Sequence, residues 1–171
     1  MFDESFLSQL KRWNEKTSLK NLKFNRGIER ETLRVSKDGS ISNRPHPEAL
    51  GSPLTNTYIT TDFAEALIEL VTPKFDNVDD LYSCLQDLHV FTAQNIDEDE
   101  YLWAHSMPCR IEKESDINIA NYGTNDSGML KHIYRKGLRA RYGSIMQCVS
   151  GIHYNFSIDA ACYKNLLGDA Y

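Results

Sequence analysis

The sequence lacks the features that mark an exported or membrane-spanning protein. Acids occupy positions 3 and 4, where a signal peptide carries basic residues, and no uninterrupted apolar run follows them. We therefore expect neither export nor a membrane partner.

Cysteine is scarce and is not spaced for metal binding. Cys84, Cys109, Cys148 and Cys162 are separated by 25, 39 and 14 residues, with no C-x-x-C pair and no Cys-His spacing typical of zinc. We interpret them as reduced thiols of a cytoplasmic protein, three of them small core residues.

Positive charge is also in deficit. There are 19 Lys and Arg residues against 24 Asp and Glu residues, which gives a formal net charge of −5. A nucleic-acid partner is not expected, because neutralising phosphates requires an excess of Lys and Arg. The glycine-rich phosphate-binding motifs G-x-x-x-x-G-K-[ST] and G-x-G-x-x-G are absent as well.

The length and composition of the chain are typical of one folded domain. The chain has 171 residues, of which 41% are hydrophobic, 25% charged and 11% aromatic. These values exclude a disordered chain and leave an adequate but thin core. No repeat, low-complexity tract or flexible linker divides the sequence.

The hydrophobic periodicity predicts an α+β fold with an antiparallel sheet backed by helices. Apolar residues first recur at helical spacing, and the pattern then changes to the alternation of a strand. A turn at residues 37–40 leads from this strand into a short partner strand near Ile41, and three prolines mark residues 44–56 as a loop. We predict helices over residues 3–16, from 76 or 77 to 95, and 127–141, the last ended by Gly143, and strands over residues 27–35, 66–72 and 151–157.

Several acids lie in predicted strands. Glu29 and Glu31 are two residues apart, so their side chains leave the same face, where like charges are unfavourable. They could equally form a solvated outer face, with Arg30 and Arg34 on the other side. Glu69 is harder to explain in this way, because it interrupts an apolar run in which an unpaired charge costs several kcal/mol.

Two further residues could join these acids around a cation. Asp62 precedes the strand of Glu69, and His153 lies on the polar face of the last predicted strand. If the five side chains converge, they suit one or more Mg²⁺ ions that bridge phosphate oxygens, whereas zinc fits poorly. Taken alone, His153 is better explained as a hydrogen-bonded sheet histidine.

The third predicted helix is positively charged, whereas the chain as a whole has a net negative charge. Residues 131–141 contain five cations and no acid. These cations can simply complement the helix dipole, although Lys131 and Arg135, one turn apart, could contact an anionic substrate. Tyr134 and Leu138 form a stripe that suits core packing or the wall of a small pocket. The polar segment 121–128 ahead of the helix can cap it or cradle a phosphate or carboxylate.

Five segments together resemble a known enzyme family. They are GIERETLRV at 27–35, YITTDFAEALIELVTP at 58–73, SMPC at 106–109, YRKGLRARYG at 134–143 and GIHYNFS at 151–157. In content and order they closely resemble bacterial glutamate–cysteine ligases, and the resemblance runs from about residue 26 to 157.

The resemblance implies a glutamine-synthetase-like carboxylate–amine ligase fold and an ATP-dependent reaction. ATP would phosphorylate the γ-carboxylate of L-glutamate, and the amine of L-cysteine would then displace phosphate to give γ-glutamylcysteine, the first step of glutathione biosynthesis. Mg²⁺, or alternatively Mn²⁺, would be the metal. The intact enzyme is expected to be a monomer.

The resemblance also suggests roles for individual residues. The metal ligands would be Glu29, Glu31, Asp62, Glu69 and His153, of which Glu29, Glu31 and His153 would also serve the nucleotide. The wall around the cysteine side chain would comprise Phe63, Tyr134, Leu138 and Gln147. Arg135 is assigned as a catalytic contact to an anion from its position in the helix alone.

The length of the chain departs from the family. Members are several times longer, so residues 1–171 are expected to be the N-terminal portion of a single larger catalytic domain that cannot complete the reaction alone. Two alternatives stay open: a ligase that joins glutamate to another small amine, and a short non-catalytic relative that binds a nucleotide or a partner chain.

Overall fold

The computed structural model describes residues 3–16, 23–159 and 162 and contains three α-helices, three short 3-10 helices and one five-stranded sheet in these ranges. The helices are α1 (Glu4–Lys16), α2 (Val78–Gln94) and α3 (Asp126–Tyr142). The strands are β1 (Phe24–Ser36), β2 (Ile59–Thr61), β3 (Leu67–Val71), β4 (Glu100–Leu102) and β5 (Ile152–Ile158).

The long strand β1 organises the sheet. It pairs with β3 on one side, and on the other with β5 along its first half and β4 at its end, while β2 pairs with the outer edge of β3. All these pairings are antiparallel. The predicted α+β class and antiparallel sheet are therefore confirmed.

The helices begin at side-chain caps. Asn77 accepts a hydrogen bond from the Asp80 N–H at the start of α2, and Asn125 accepts one from the Gly128 N–H at the start of α3. A Cβ atom on Gly128 would collide with the Tyr122 carbonyl, so a glycine lets α3 approach this residue closely. Gly143 ends α3 with a positive φ of 77°, as predicted.

Two strands of the sheet are not predicted by the sequence. β2 and β4 have three residues each, which is too short for an alternating pattern to stand out. The predicted turn is confirmed, because the Ser36 N–H donates to the Ser40 carbonyl at 2.9 Å and Ile41 bridges Val35.

The two faces of the sheet carry separate apolar clusters. On one face, Leu85 and Leu88 of α2 pack against a cluster formed by Leu50, Ile59, Ile68 and Leu70. On the other, Leu138 of α3 packs against a larger cluster around Leu33, Val35, Phe63 and Leu67. Full burial of such a side chain contributes about 1.5–3 kcal/mol, and the half-buried Leu85, Leu88 and Leu138 contribute part of this amount to holding both helices on the sheet.

Arg30 and Arg34 lie on the opposite side of β1 from Glu29 and Glu31, as the alternation predicts, and their side is buried. Arg30 is 8% exposed and Arg34 is fully buried. The reason is that long-range partners satisfy them: the Arg34 guanidinium pairs with Glu100 of β4, and Arg30 donates to the Ala104 carbonyl at 2.9 Å. Glu100 belongs to the strand that the sequence analysis missed.

Three of the four cysteines are core residues, as predicted. Cys109, Cys148 and Cys162 are buried, Cys84 is half-buried, and none of the four forms a disulfide. Burial raises the pKa of Cys109 to about 11 and that of Cys148 to about 12. No helix in the ranges described is long and apolar enough to span a bilayer.

Candidate active site

The strand pairing brings the five predicted metal-binding residues to one face of the sheet. Glu31 lies directly opposite Glu69 of β3, and Glu29 lies opposite His153 of β5. Thr60 pairs with Glu69, so Asp62, two residues further on, also leaves this face. We call this surface the acid face: Glu29, Glu31, Asp62, Glu69 and His153.

Neighbouring groups on β5 and before it hold two of the acids. Glu29 contacts His153 Nδ1 at 3.2 Å and accepts a hydrogen bond from the Asn155 amide at 2.9 Å. Glu31 accepts one from the Gly151 N–H at 2.7 Å. These bonds orient both carboxylates without any contact to a Lys or Arg side chain among the residues described.

Like charges crowd on the acid face. Burial, followed by the charges of Asp62, Glu31 and Glu29, raises the pKa of Glu69 to about 7. Burial and the nearby Glu31 also raise the pKa of Asp62. The hydrogen bond to Glu29, followed by the charge of Glu31, raises the pKa of His153. A cation bound here would relieve the repulsion between the carboxylates.

The donor set suits a hard divalent cation, although its side chains are not gathered around one point. Four carboxylates and one imidazole share the face, and Mg²⁺ and Mn²⁺ prefer such oxygen-rich sites. Within residues 3–16, 23–159 and 162, no three His, Cys, Asp or Glu side chains converge closely enough to hold an ion as they stand. Metal binding would therefore require some of these side chains to move toward a common point.

Arg135 of α3 borders the acid face. Its Nε donates to the Asp62 carbonyl, its Nη1 donates to the Lys131 carbonyl at 3.0 Å, and its guanidinium carbon lies 4.6 Å from the centre of the Tyr122 ring. Its charge lowers the pKa of Asp62, against the larger effects of burial and Glu31. A half-buried cation thus stands beside the acids, where it can contact an anion.

The four residues predicted to surround the cysteine side chain fall into two groups. Phe63 is 1% exposed and belongs to the core cluster against which Leu138 packs, so this pair packs the interior of the chain. Tyr134 is 63% exposed and Gln147 is half-buried, so both are accessible to a ligand.

Tyr122 and Asn155 also belong to the site, and the sequence analysis assigned neither a role. Asn155 shares the polar alternation of β5 with His153, a signal that could have identified it. Tyr122 lies in the polar segment 121–128, and only the fold shows that its ring lies against Arg135.

A shallow cavity of about 270 Å³ extends the acid face along the sheet. Gly27, Glu29 and Asn155 line it, together with Thr72. Since Gly27 has no side chain, this part of the surface stays open next to Glu29.

Comparisons with known proteins agree with the resemblance seen in the sequence. The model of the glutamate–cysteine ligase family matches residues 7–170. A glutamate–cysteine ligase from Francisella tularensis, solved in complex with AMP, is 46% identical and aligns with a TM-score of 0.83 over 85% of this chain. A bifunctional glutathione synthetase from Pasteurella multocida is 32% identical, with a TM-score of 0.78 over 96% of this chain.

The match covers only part of each relative. The chain spans 29% of the Francisella protein and 20% of the Pasteurella protein. The family model nevertheless covers nearly all of the 171 residues, and the chain belongs to the glutamate–cysteine ligase family.

Proposed function

We propose that this chain is the N-terminal portion of a larger catalytic domain that joins the γ-carboxylate of L-glutamate to the amine of L-cysteine. ATP drives the reaction, and the product is γ-glutamylcysteine. Membership in the family and a relative solved with AMP support this function. The small share of each matched structure supports the assignment of residues 1–171 as a portion of the domain.

The observation that carries the proposal is the crowding of carboxylates on one sheet face. Glu69 lies among Asp62, Glu31 and Glu29, and their charges and burial raise its pKa to about 7. A protein whose acids only solubilise it would spread them over the surface. We assign Mg²⁺, or Mn²⁺ in its place, to the acid face, with Glu29, Glu31, Asp62, Glu69 and His153 as its ligands. When bound, the ion neutralises and aligns the triphosphate oxygens.

The reaction then takes two steps. The terminal phosphoryl group of ATP passes to the glutamate γ-carboxylate, giving γ-glutamyl phosphate and ADP. The cysteine nitrogen attacks the acyl carbon, the C–N bond forms, the C–O bond to phosphate breaks, and the amine loses a proton. Arg135 contacts the anionic oxygens of the transferred group, a role that its position beside Asp62 supports.

Side chains of α3 and the turn after it would select the amine. Tyr134 and Gln147 are the accessible members of the proposed cysteine pocket, whereas Phe63 lies in the core cluster against which Leu138 packs. We also propose a cytoplasmic enzyme that acts as a monomer. The absence of disulfides among the four cysteines is consistent with a cytoplasmic location.

The experiment that tests the function is ADP release by the complete open reading frame that contains this chain. With ATP, Mg²⁺ and glutamate present, we expect cysteine to stimulate ADP release far more than alanine or ammonia does. The 171-residue chain, assayed in parallel, should be inactive. Equal turnover with all three amines would point to another amine substrate, and nucleotide binding without turnover would point to a non-catalytic relative.

A further inference from the structure

Two cations of α3 lie over a single buried aromatic ring. The Lys131 ammonium is 4.9 Å and the Arg135 guanidinium carbon 4.6 Å from the centre of the Tyr122 ring, which is within the range of cation–π attraction. Tyr122 is only 4% exposed. Since two neighbouring cations repel each other, a shared ring stabilises an arrangement that the charges alone would disfavour.

The Tyr122 ring is fixed to both the sheet and the helix. Its hydroxyl donates to the Thr61 carbonyl at 2.6 Å and accepts from the Thr61 hydroxyl at 3.0 Å. The preceding residue is also anchored, because the Asn121 N–H donates to the buried Glu65 carboxylate. On the helix side, the Tyr122 carbonyl lies against Gly128 in the first turn of α3. The ring therefore cannot shift without disturbing either β2 or α3.

Among the described residues, both cations are positioned without an ion pair. In the part of the chain that the structure describes, neither Lys131 nor Arg135 forms an ion pair with a carboxylate, whereas Arg44 pairs with two. The Arg135 donors go instead to the carbonyls of Asp62 and Lys131. A ring and carbonyl groups position the cations without cancelling their charge, which leaves that charge available for an anion.

We propose that Tyr122 is a positioning residue that holds Lys131 and Arg135 as a two-pronged clamp for an oxyanion, a phosphoryl or carboxylate group of a substrate bound at the acid face. The clamp rests on the proposed function, because it assumes that an anionic substrate binds beside Asp62. It adds a second cation, Lys131, to the contact assigned to Arg135, and it gives a buried tyrosine a role in binding.

Steady-state kinetics of the complete enzyme test the clamp. We expect Tyr122→Leu to raise the KM of one anionic substrate about tenfold, while Tyr122→Phe, which keeps the ring, stays within about threefold of wild type. A rise confined to ATP identifies the oxyanion as a phosphoryl group, and one confined to glutamate identifies it as a carboxylate. Tyr82→Leu, at a 64% exposed tyrosine of α2, is the matched control and should leave both constants unchanged.

A double-mutant cycle separates positioning from a merely structural effect. If Tyr122 acts through the cations, Tyr122→Leu should add less than about twofold to the defect of Arg135→Ala. If the increases in KM caused by Tyr122→Leu and Arg135→Ala multiply in the double variant, the two residues act independently and the proposal is overturned. A Tyr122→Phe enzyme with a KM as high as that of Tyr122→Leu would also overturn it. Should the leucine variant not fold, Lys131→Met decides. It removes one prong from an exposed position, and an unchanged KM for both ATP and glutamate would overturn the clamp.

The clamp and the proposed function can fail separately. If the wild-type protein shows cysteine-dependent ADP release but the variants behave like wild type, the clamp is wrong and the function stands. If the wild-type protein has no ligase activity, the proposed function fails. Calorimetric titration with inorganic pyrophosphate then tests the clamp, with weaker binding by Lys131→Met expected and equal binding contradicting it.

Discussion

Two parts of β1 differ in how their charged side chains are paired. Toward its end, the Arg34 guanidinium is fully buried and donates to both oxygens of Glu100 at 2.9 Å and to three backbone carbonyls. In its middle, Glu29 and Glu31 share a face with Glu69 and Asp62, and burial and mutual repulsion raise the pKa of the latter two. One part matches opposite charges and the other gathers like charges.

This difference distinguishes charges that stabilise the fold from charges that we propose bind a ligand. Arg34 and Glu100 join β1, β4 and the loop at Arg44 and Pro45, and their charges neutralise each other. The close approach of the carboxylates on the acid face does not stabilise the fold, because their repulsion at Glu69 opposes folding. Carboxylates that repel one another in the absence of a ligand, and that share one face of a sheet, indicate a binding site.

Removing one partner of the buried pair should give the largest loss of stability. We expect Glu100→Gln to lower the free energy of unfolding by about 3–5 kcal/mol, because the Arg34 charge stays buried without its counterion. Denaturant unfolding of the complete protein measures the loss. Glu98→Gln, at an exposed acid two residues away, is the control and should change little. A loss below about 1 kcal/mol in Glu100→Gln would mean that the pair does not hold the sheet.

The corresponding change on the acid face should affect activity instead of stability. Glu69→Gln is expected to cut the magnesium-dependent activity of the complete enzyme by about a hundredfold or more, since it removes a proposed ligand. The free energy of unfolding should stay the same or rise by up to about 1 kcal/mol, because repulsion with Asp62 and Glu31 disappears. Near-normal activity would contradict the metal role of Glu69.

His46 extends the comparison to pH, since it lies near the buried Arg34 charge. Burial, and then Arg34, lower its pKa from 6.5 to about 4, and neither ring nitrogen has a hydrogen-bond partner among the described residues. The unfolded chain therefore binds the proton more readily than the folded chain does. The contribution of His46 to the free energy of unfolding is therefore fully present above pH 6.5 and is lost as the pH drops toward 4.

The contribution of His46 to this pH dependence can be measured by comparing the wild-type protein with a His46 variant. Between pH 7 and pH 4, we expect His46→Gln to lose about 1–2 kcal/mol less stability than the wild-type protein does. The comparison cancels the titration of the other groups. Parallel stability curves for the two proteins would show that His46 is not held neutral by the fold.

The smallest effect is expected at an exposed ion pair. Arg44 contacts Asp97 at 2.8 Å and Asp99 at 2.6 Å, with side chains that are 42–61% exposed. We expect Asp99→Asn to lower the free energy of unfolding only slightly, and this loss to shrink in high salt, because solvent screens the exposed pair. A loss as large as that of Glu100→Gln would mean that burial does not decide what an ion pair contributes.

The sequence predicts the elements whose patterns are local. Periodic apolar residues correctly predicted α1, α2 and α3 and the strands around Glu29, Glu69 and His153, and alternation put Glu29 and Glu31 on one face. The third helix begins at Asp126 rather than near Ser127 because Asn125 supplies the cap. The shared face of the five proposed ligands follows from strand register, which the sequence analysis had to assume.

Features that depend on distant partners were not predictable. Arg34 looks like a surface residue until Glu100, far along the chain, pairs with it in a strand too short to recognise. Phe63 could not be assigned to the core from its own segment, and Tyr122 acquires a role only when α3 brings Lys131 and Arg135 over its ring.

Binding of Mn²⁺ to the complete protein tests most directly whether the acid face is a cation site. Electron paramagnetic resonance of free Mn²⁺ would compare the wild-type protein with Glu69→Gln and with Glu48→Gln, a control at an exposed acid outside the site. We expect Glu69→Gln to bind Mn²⁺ at least about tenfold more weakly than the wild-type protein and Glu48→Gln to bind it equally well. Equal binding by all three proteins would contradict the assignment of the acid face to a metal ion.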